Sequence, residues 1–182
     1  MPDHDLIKVL REAQRIGIIG PTDVEVELAH ARQYVPGIPP DARDVVDLGS
    51  GAGLPGLVIA HDCPTLRVLL VERRAKRADF LRRAVSALGM RDRISVTSDD
   101  ADDLLRSPSH VGAYDVVSAR AFGPPGLTVR CAEGLLRPSG TLLVSLPPNG
   151  DLDPLRRATD PSGYLCSRLP GLQVAAVIFT RG

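Results

Sequence analysis

The sequence has no tryptophan and few other aromatic residues, 3% in all. A core without large rings must come from Leu, Val and Ala, and branched aliphatics suit a parallel sheet flanked by helices. Cysteine is scarce too. Cys63, Cys131 and Cys166 are odd in number and widely spaced, which fits neither a disulfide framework nor paired metal knuckles and reads as three reduced thiols in a cytoplasmic protein. Neither sign of charge prevails: 22 basic and 22 acidic residues cancel. No global basic field therefore marks a polyanion partner, although a local patch stays open. No run approaches the roughly 18 to 20 apolar residues that span a bilayer. The start, MPDHDLIKVLREAQ, lacks the apolar stretch of a secretory signal, so a soluble protein is expected. His4, His30, His61 and His110 show no ligand spacing, and no metal is expected.

What is present is an ordinary globular composition, 43% hydrophobic and 24% charged over 182 residues, enough for one domain with a substantial core. Residues 5–16 carry apolar side chains at helical spacing, and 22–35 read as a second helix capped by Thr22 or Asp23. Prolines make 36–43 a loop. Beyond it the pattern alternates. Strands are predicted near 44–48, 67–72, 94–98, 114–118 and 140–146, and helices near 55–62, 75–88, 101–106 and 125–136. Such a rhythm with short connections implies right-handed crossovers and a mainly parallel α/β sheet with helices on both faces. The tail, 172–181, is expected to be a last strand, antiparallel at the far side of the sheet. Residues 1–36 thus form an N-terminal helical segment and 37–182 the α/β domain.

The strongest signal is VVDLGSGAGLPG, residues 45–56. An apolar strand runs into Gly49, Gly51 and Gly53, and Pro55 stands where a helix begins, at a place that tolerates a missing N–H. Glycines let a ligand approach backbone that a Cβ would block, and the N–H groups of a helix start favour a polar or anionic ligand end. A second strand, RVLLVE, ends at Glu72, where Rossmann-like sheets place the acid that accepts bonds from ribose hydroxyls. Loop and acid together make a nucleoside-binding pair. Gly51, Gly53 and Gly56 also satisfy G-x-G-x-x-G, so a dinucleotide is an alternative. Asp47 before the loop, the crowded G-x-G-x-G and Pro55 instead match the loops of methyltransferases.

GSGAGLPG, then VERRAKRADFL (71–81) and SARAF (118–122), resemble the RsmG (GidB) family, as do IGIIGPTDVEVELAHARQYV (16–35) and the placing of His30. The resemblance spans roughly residues 16–145 and marks a divergent, short member. It implies a Rossmann-like fold, S-adenosyl-L-methionine as cofactor, and methylation of a guanine N7 in bacterial 16S ribosomal RNA, with the small subunit or its RNA as partner and no membrane. Carried over by position, Gly49 and Leu54 would meet the cofactor in the loop, where the glycine pattern itself also sets Gly51 and Gly53 against it. Glu72 would hold the ribose, and Ala101 and Asp102 would border the adenine. Arg120 would face the methionine end or the substrate base, or else clamp a neighbouring acid. Asp102 could equally be a helix cap, as could Asp99, Asp100 and Asp103.

There are departures from the family pattern. Asp99-Asp100 replaces the usual basic residue before the alanine–acid pair, SLPPNG (145–150) replaces a lysine–glycine pair, and the Asn-Leu-Thr element upstream of the histidine is missing. A small-molecule or protein methyltransferase on the same scaffold, or a cofactor-binding relic without activity, are the alternatives. Guanine N7 offers a lone pair and no proton, so no catalytic base is expected. Around the 75–88 helix lie Arg73, Arg74, Lys76, Arg77, Arg82, Arg83, Arg91 and Arg93. With Ala75, Ala78, Leu81, Val85 and Leu88 as the buried stripe, these bases form either a solvated face or a phosphate-contacting ridge.

Overall fold

Strand β1, Asp44–Leu48, is Val-Val-Asp-Leu after its first residue, and all four of those side chains are buried. That is the signature of a central strand covered on both faces. The computed structural model describes residues 3–179. In it β1 pairs in parallel with β2 (Arg67–Val71) on one side and β4 (Tyr114–Ala119) on the other. β3 (Ile94–Thr97) and β5 (Leu136–Ser145) extend the parallel part outward. The sheet has seven strands in the order β3-β2-β1-β4-β5-β7-β6, with β6 spanning Leu165–Arg168 and β7 Val174–Ile178. The last strand is antiparallel, as expected, but it does not lie at the far side. It pairs with β5 and β6 alike, and β6 takes the edge. Thr180 and Arg181, included in the expected tail strand, lie outside the described residues.

Successive side chains of β1 divide the interior. Val45 packs into the core shared with Ile59, Leu70, Phe80 and Leu81, and Val46 into the opposite core with Ala132, Leu135, Leu142 and Val177. Helices α3 (Gly56–Asp62) and α4 (Ala75–Ala87) contribute to the first; α5 (Ala101–Arg106), α6 (Pro125–Leu135) and the short α7 (Asp153–Thr159) contribute to the second. The N-terminal helices α1 (Asp3–Arg15) and α2 (Val24–Arg32) bury Leu6, Leu10, Ala13, Val24 and Leu28 in the first core. Asp23 caps α2, its Oδ1 accepting from the N–H of Glu25 at 2.9 Å and of Val26 at 3.3 Å. Arg32 then ties α2 to α3 through Asp62 at 2.9 Å and to α1 through Asp3.

The strand order reverses between β1 and β4. In such sheets that switch point opens a crevice at the carboxyl ends of the strands. Here the loops after β1, β2, β3 and β4 meet there.

Candidate functional site

The loop after β1 turns on glycines held in the left-handed region. Gly51, at φ +57°, would place a Cβ in open space, with only the Gly49 carbonyl oxygen near, at 3.8 Å. Its N–H donates to Oε2 of Glu72 at 3.1 Å. The other oxygen of Glu72 accepts the N–H of Arg74 at 2.9 Å. Glu72 is 5% exposed, so this acid at the end of β2 is fixed by two backbone donors rather than left to solvent. A carboxylate offers about four acceptor sites, and further hydroxyl donors can still be received.

Gly49 (φ +70°), Glu72 and Ala101 line one cleft of about 290 Å³, near the roughly 300 Å³ lower end of small-molecule sites. Of the other positions expected from sequence, Gly51 joins it through Glu72. Gly53 and Leu54 support the loop from below: a Cβ on Gly53 would lie 2.3 Å from Cδ1 of Leu57, and Leu54 is buried. The carboxylate of Asp102 turns to Arg130 at 2.8 Å. The cap of α5 is Asp100, in a reciprocal capping box with Asp103. Arg120 stands past the end of β4 and pairs with Glu27 of α2.

The cleft also recruits residues that the sequence did not assign to the cofactor. Asp99, Asp100, Ala121, Phe122 and Leu127 line it, together with Arg73, Arg74 and Arg77. Ala121 has φ +52° without being glycine, and the Phe122 ring beyond it lies 3.0 Å from where a Cβ of Gly49 would stand. Arg77, expected to face solvent, instead lies within 3.9 Å of Oε2 of Glu72 and donates to the Ile18 carbonyl at 3.5 Å. The buried stripe of α4 is Ala78, Phe80, Leu81, Ala84 and Val85, while Ala75 is exposed. A stronger sequence signal for the cleft was available in the SARAF segment, whose Phe122 follows the carried-over Arg120 by two.

Beneath the loop, Asp47 is fully buried. Its Oδ1 accepts from Ser118 Oγ at 2.6 Å, whereas Oδ2 has no partner among the described residues. Burial pushes its carboxyl up to about 6, against the pull of the Ser118 hydroxyl and of the Arg120 charge. A Cβ on Gly56 would stand 2.8 Å from that orphaned oxygen, so α3 starts directly over it. Tyr34, also buried, donates to the Ala119 carbonyl at 3.0 Å, and desolvation raises its hydroxyl well above the ordinary range. Among the described residues no cluster of three or more His, Cys, Asp or Glu could hold a metal ion, and no helix is long and apolar enough to cross a membrane.

Residues 12–146 match the family described as GidB, rRNA small subunit methyltransferase G. A ribosomal RNA small subunit methyltransferase G from Acidothermus cellulolyticus is 41% identical over 132 residues, covering 70% of this chain and 56% of that protein. The chain therefore spans just over half the length of that relative. Among solved structures, the cofactor-bound Rv0187 from MTB superposes with a TM-score of 0.71 at 18% identity, covering 100% of this chain and 92% of that one. A geranyl diphosphate methyltransferase in complex with GPP and sinefungin gives 0.69 at 14% identity, covering 86% and 80%. These likenesses establish the Rossmann-like methyltransferase fold.

Proposed function

The chain belongs to the rRNA small subunit methyltransferase G family, and from that premise we propose that it transfers a methyl group from S-adenosylmethionine to N7 of a guanine in small-subunit ribosomal RNA. The observation that carries the reading is Glu72, buried at the end of β2 with both oxygens fixed by the N–H groups of Gly51 and Arg74, beside a cleft at the switch point of the sheet. A pre-oriented acid here receives two ribose hydroxyls at little further cost in order.

The residues fit the cofactor. Gly51 leaves its Cα side open, so backbone can approach a ligand that a side chain would displace. Gly49 floors the cleft, with Gly53 and Leu54 setting the turn beneath it. Ala101 and the first turn of α5 border the adenine. Asp99 and Asp100 line the same cleft, whereas the carboxylate of Asp102 is engaged by Arg130. Arg120 addresses the methionine end or the acceptor base. When bound, S-adenosylmethionine supplies an electrophilic methyl on a sulfonium. The protein's own contribution is then to hold the acceptor in line, which can account for much of a rate enhancement. Guanine N7 carries a lone pair and no proton, and no base is assigned. Phe122 and Leu127 wall the cleft with apolar surface. The setting is cytoplasmic, where ribosomal RNA is found.

Methyl transfer from labelled cofactor to small subunits, or to naked ribosomal RNA, from cells lacking the modification tests this. Label is expected at a guanine N7. A protein that binds the cofactor yet labels neither substrate overturns the RNA assignment and leaves a small-molecule or protein acceptor on the same scaffold.

A further inference from the structure

Arg120 is the first residue past β4, one before Ala121 in the cleft wall, and its guanidinium is divided. One terminal nitrogen donates to the carboxylate of Glu27 on α2, and this pair is largely buried. The other, Nη1, is buried and has no hydrogen-bond partner among the described residues. A buried charged donor left unmade is among the more expensive features a fold can carry. Nearby, Asp47 and Tyr34 feel the charge of Arg120, yet Asp47 gives one oxygen to Ser118 and keeps the other without a partner among the described residues, and Tyr34 donates to a carbonyl. Neither satisfies Nη1.

A simple tether between α2 and the sheet does not require this arrangement. α2 already buries Val24, Leu28 and Ala31 and is tied to α1 and α3 through Arg32. A planar guanidinium gripped at one nitrogen has its remaining donors fixed in direction. That is how a protein prepares a donor for a ligand rather than for itself.

We propose that Glu27 is a positioning residue: it fixes the Arg120 guanidinium so that Nη1 is presented to a carboxylate or carbonyl oxygen of a ligand in this site. The inference rests on the methyl-transfer reading. The oxygen belongs either to the amino-acid carboxylate of the cofactor or to the carbonyl of the acceptor base, and two measurements separate these sources.

The experiment compares wild type, Glu27→Gln, Arg120→Lys and the charge-reversed double variant E27R/R120E. Affinity for S-adenosylhomocysteine is read by calorimetry, KM and kcat for the RNA acceptor by labelled transfer, and the thermal midpoint by circular dichroism. In Glu27→Gln we expect either a roughly tenfold weaker S-adenosylhomocysteine affinity, assigning the oxygen to the cofactor, or a roughly tenfold higher acceptor KM at unchanged cofactor affinity, assigning it to the acceptor. Arg120→Lys, which keeps the charge but loses the fork, should show the same loss. The reversed pair should regain the thermal midpoint without regaining affinity or KM.

Wild-type affinity and KM in Glu27→Gln would overturn the inference, as would a reversed pair that recovers function together with stability, since a tether behaves that way. If Glu27→Gln does not fold, Arg120→Lys and the reversed pair decide between positioning and tethering in its place. If the wild type transfers no methyl group, the RNA reading fails by itself. The cofactor arm still decides this one, and an unchanged S-adenosylhomocysteine affinity in Glu27→Gln then overturns it.

Discussion

Asp47 carries no solvent contact and one hydrogen bond from a hydroxyl, so the fold favours its protonated form. Its carboxyl lies at about 6 against an ordinary value of 3.8. Between those values the unfolded chain has released the proton and the folded chain still holds it. Stability therefore falls as pH rises through that window, by up to about 3 kcal/mol once pH passes 6, and none of this penalty exists below about pH 4. Asp47→Asn should remove the slope. The variant is expected to gain on wild type progressively from pH 4 to 7 in urea unfolding, and parallel pH curves would show Asp47 to be ionised in the fold. Glu72 makes the opposite kind of prediction. Its two oxygens are already organised, so Glu72→Ala should weaken S-adenosylmethionine binding by about 1.5 to 3 kcal/mol, tenfold or more, on calorimetry. Equal affinities would remove it from the site. The place of Glu72 beside the cleft could be read from the sequence because Rossmann-like sheets carry an acid at the end of the second strand. Asp102 could not be placed. Four acids stand within five residues there, and only the folded chain decides that Asp100 caps α5 while Asp102 meets Arg130.

Element by element, the alternating β-α segments were legible because each strand is an apolar run bounded by turn residues. α7 and β6 were not. α7 is hidden among turn-forming residues, with a proline in its first turn and Asp-Pro-Ser directly after it, and β6 is a four-residue edge strand whose side chains are mostly exposed. β5 begins at Leu136 rather than near 140, since Arg-Pro-Ser-Gly looks like a turn yet continues the strand with Ser139 at φ +65°. At the start of α3 the glycines divide the work. A methyl on Gly53 meets the buried Leu57, so Gly53→Ala should cost about 1 to 3 kcal/mol of stability in denaturant unfolding. Gly51 faces open space, and Gly51→Val should abolish cofactor binding through its bulk and its aversion to positive φ. Circular dichroism should still show a folded protein; an unfolded one would make Gly51 purely structural.

At the scale of the molecule the net charge is zero, and any attraction to RNA depends on where the charges sit. Arg73, Arg74 and Arg77 turn out to line the cleft, while Arg82, Arg83 and Arg91 gather on the outer side of α4 and just beyond it. Sequence could not divide the eight, because a helical period separates buried from exposed but not one exposed neighbourhood from another. Reversing Arg82, Arg83 and Arg91 to Glu should weaken RNA binding and lower its salt slope by about 0.7 for each phosphate no longer neutralised, with cofactor affinity unchanged. An unchanged slope in filter binding over a salt series would leave these arginines as a solvated face. The sheet order has a consequence in time. During synthesis β5 emerges with one side unpaired, and β6 follows it but cannot join the sheet, because its place is reached only through β7. The two must enter together, as a hairpin formed between residues 165 and 178. Until Val174 leaves the exit tunnel, the nascent chain holds an open parallel edge of the kind that templates aggregation.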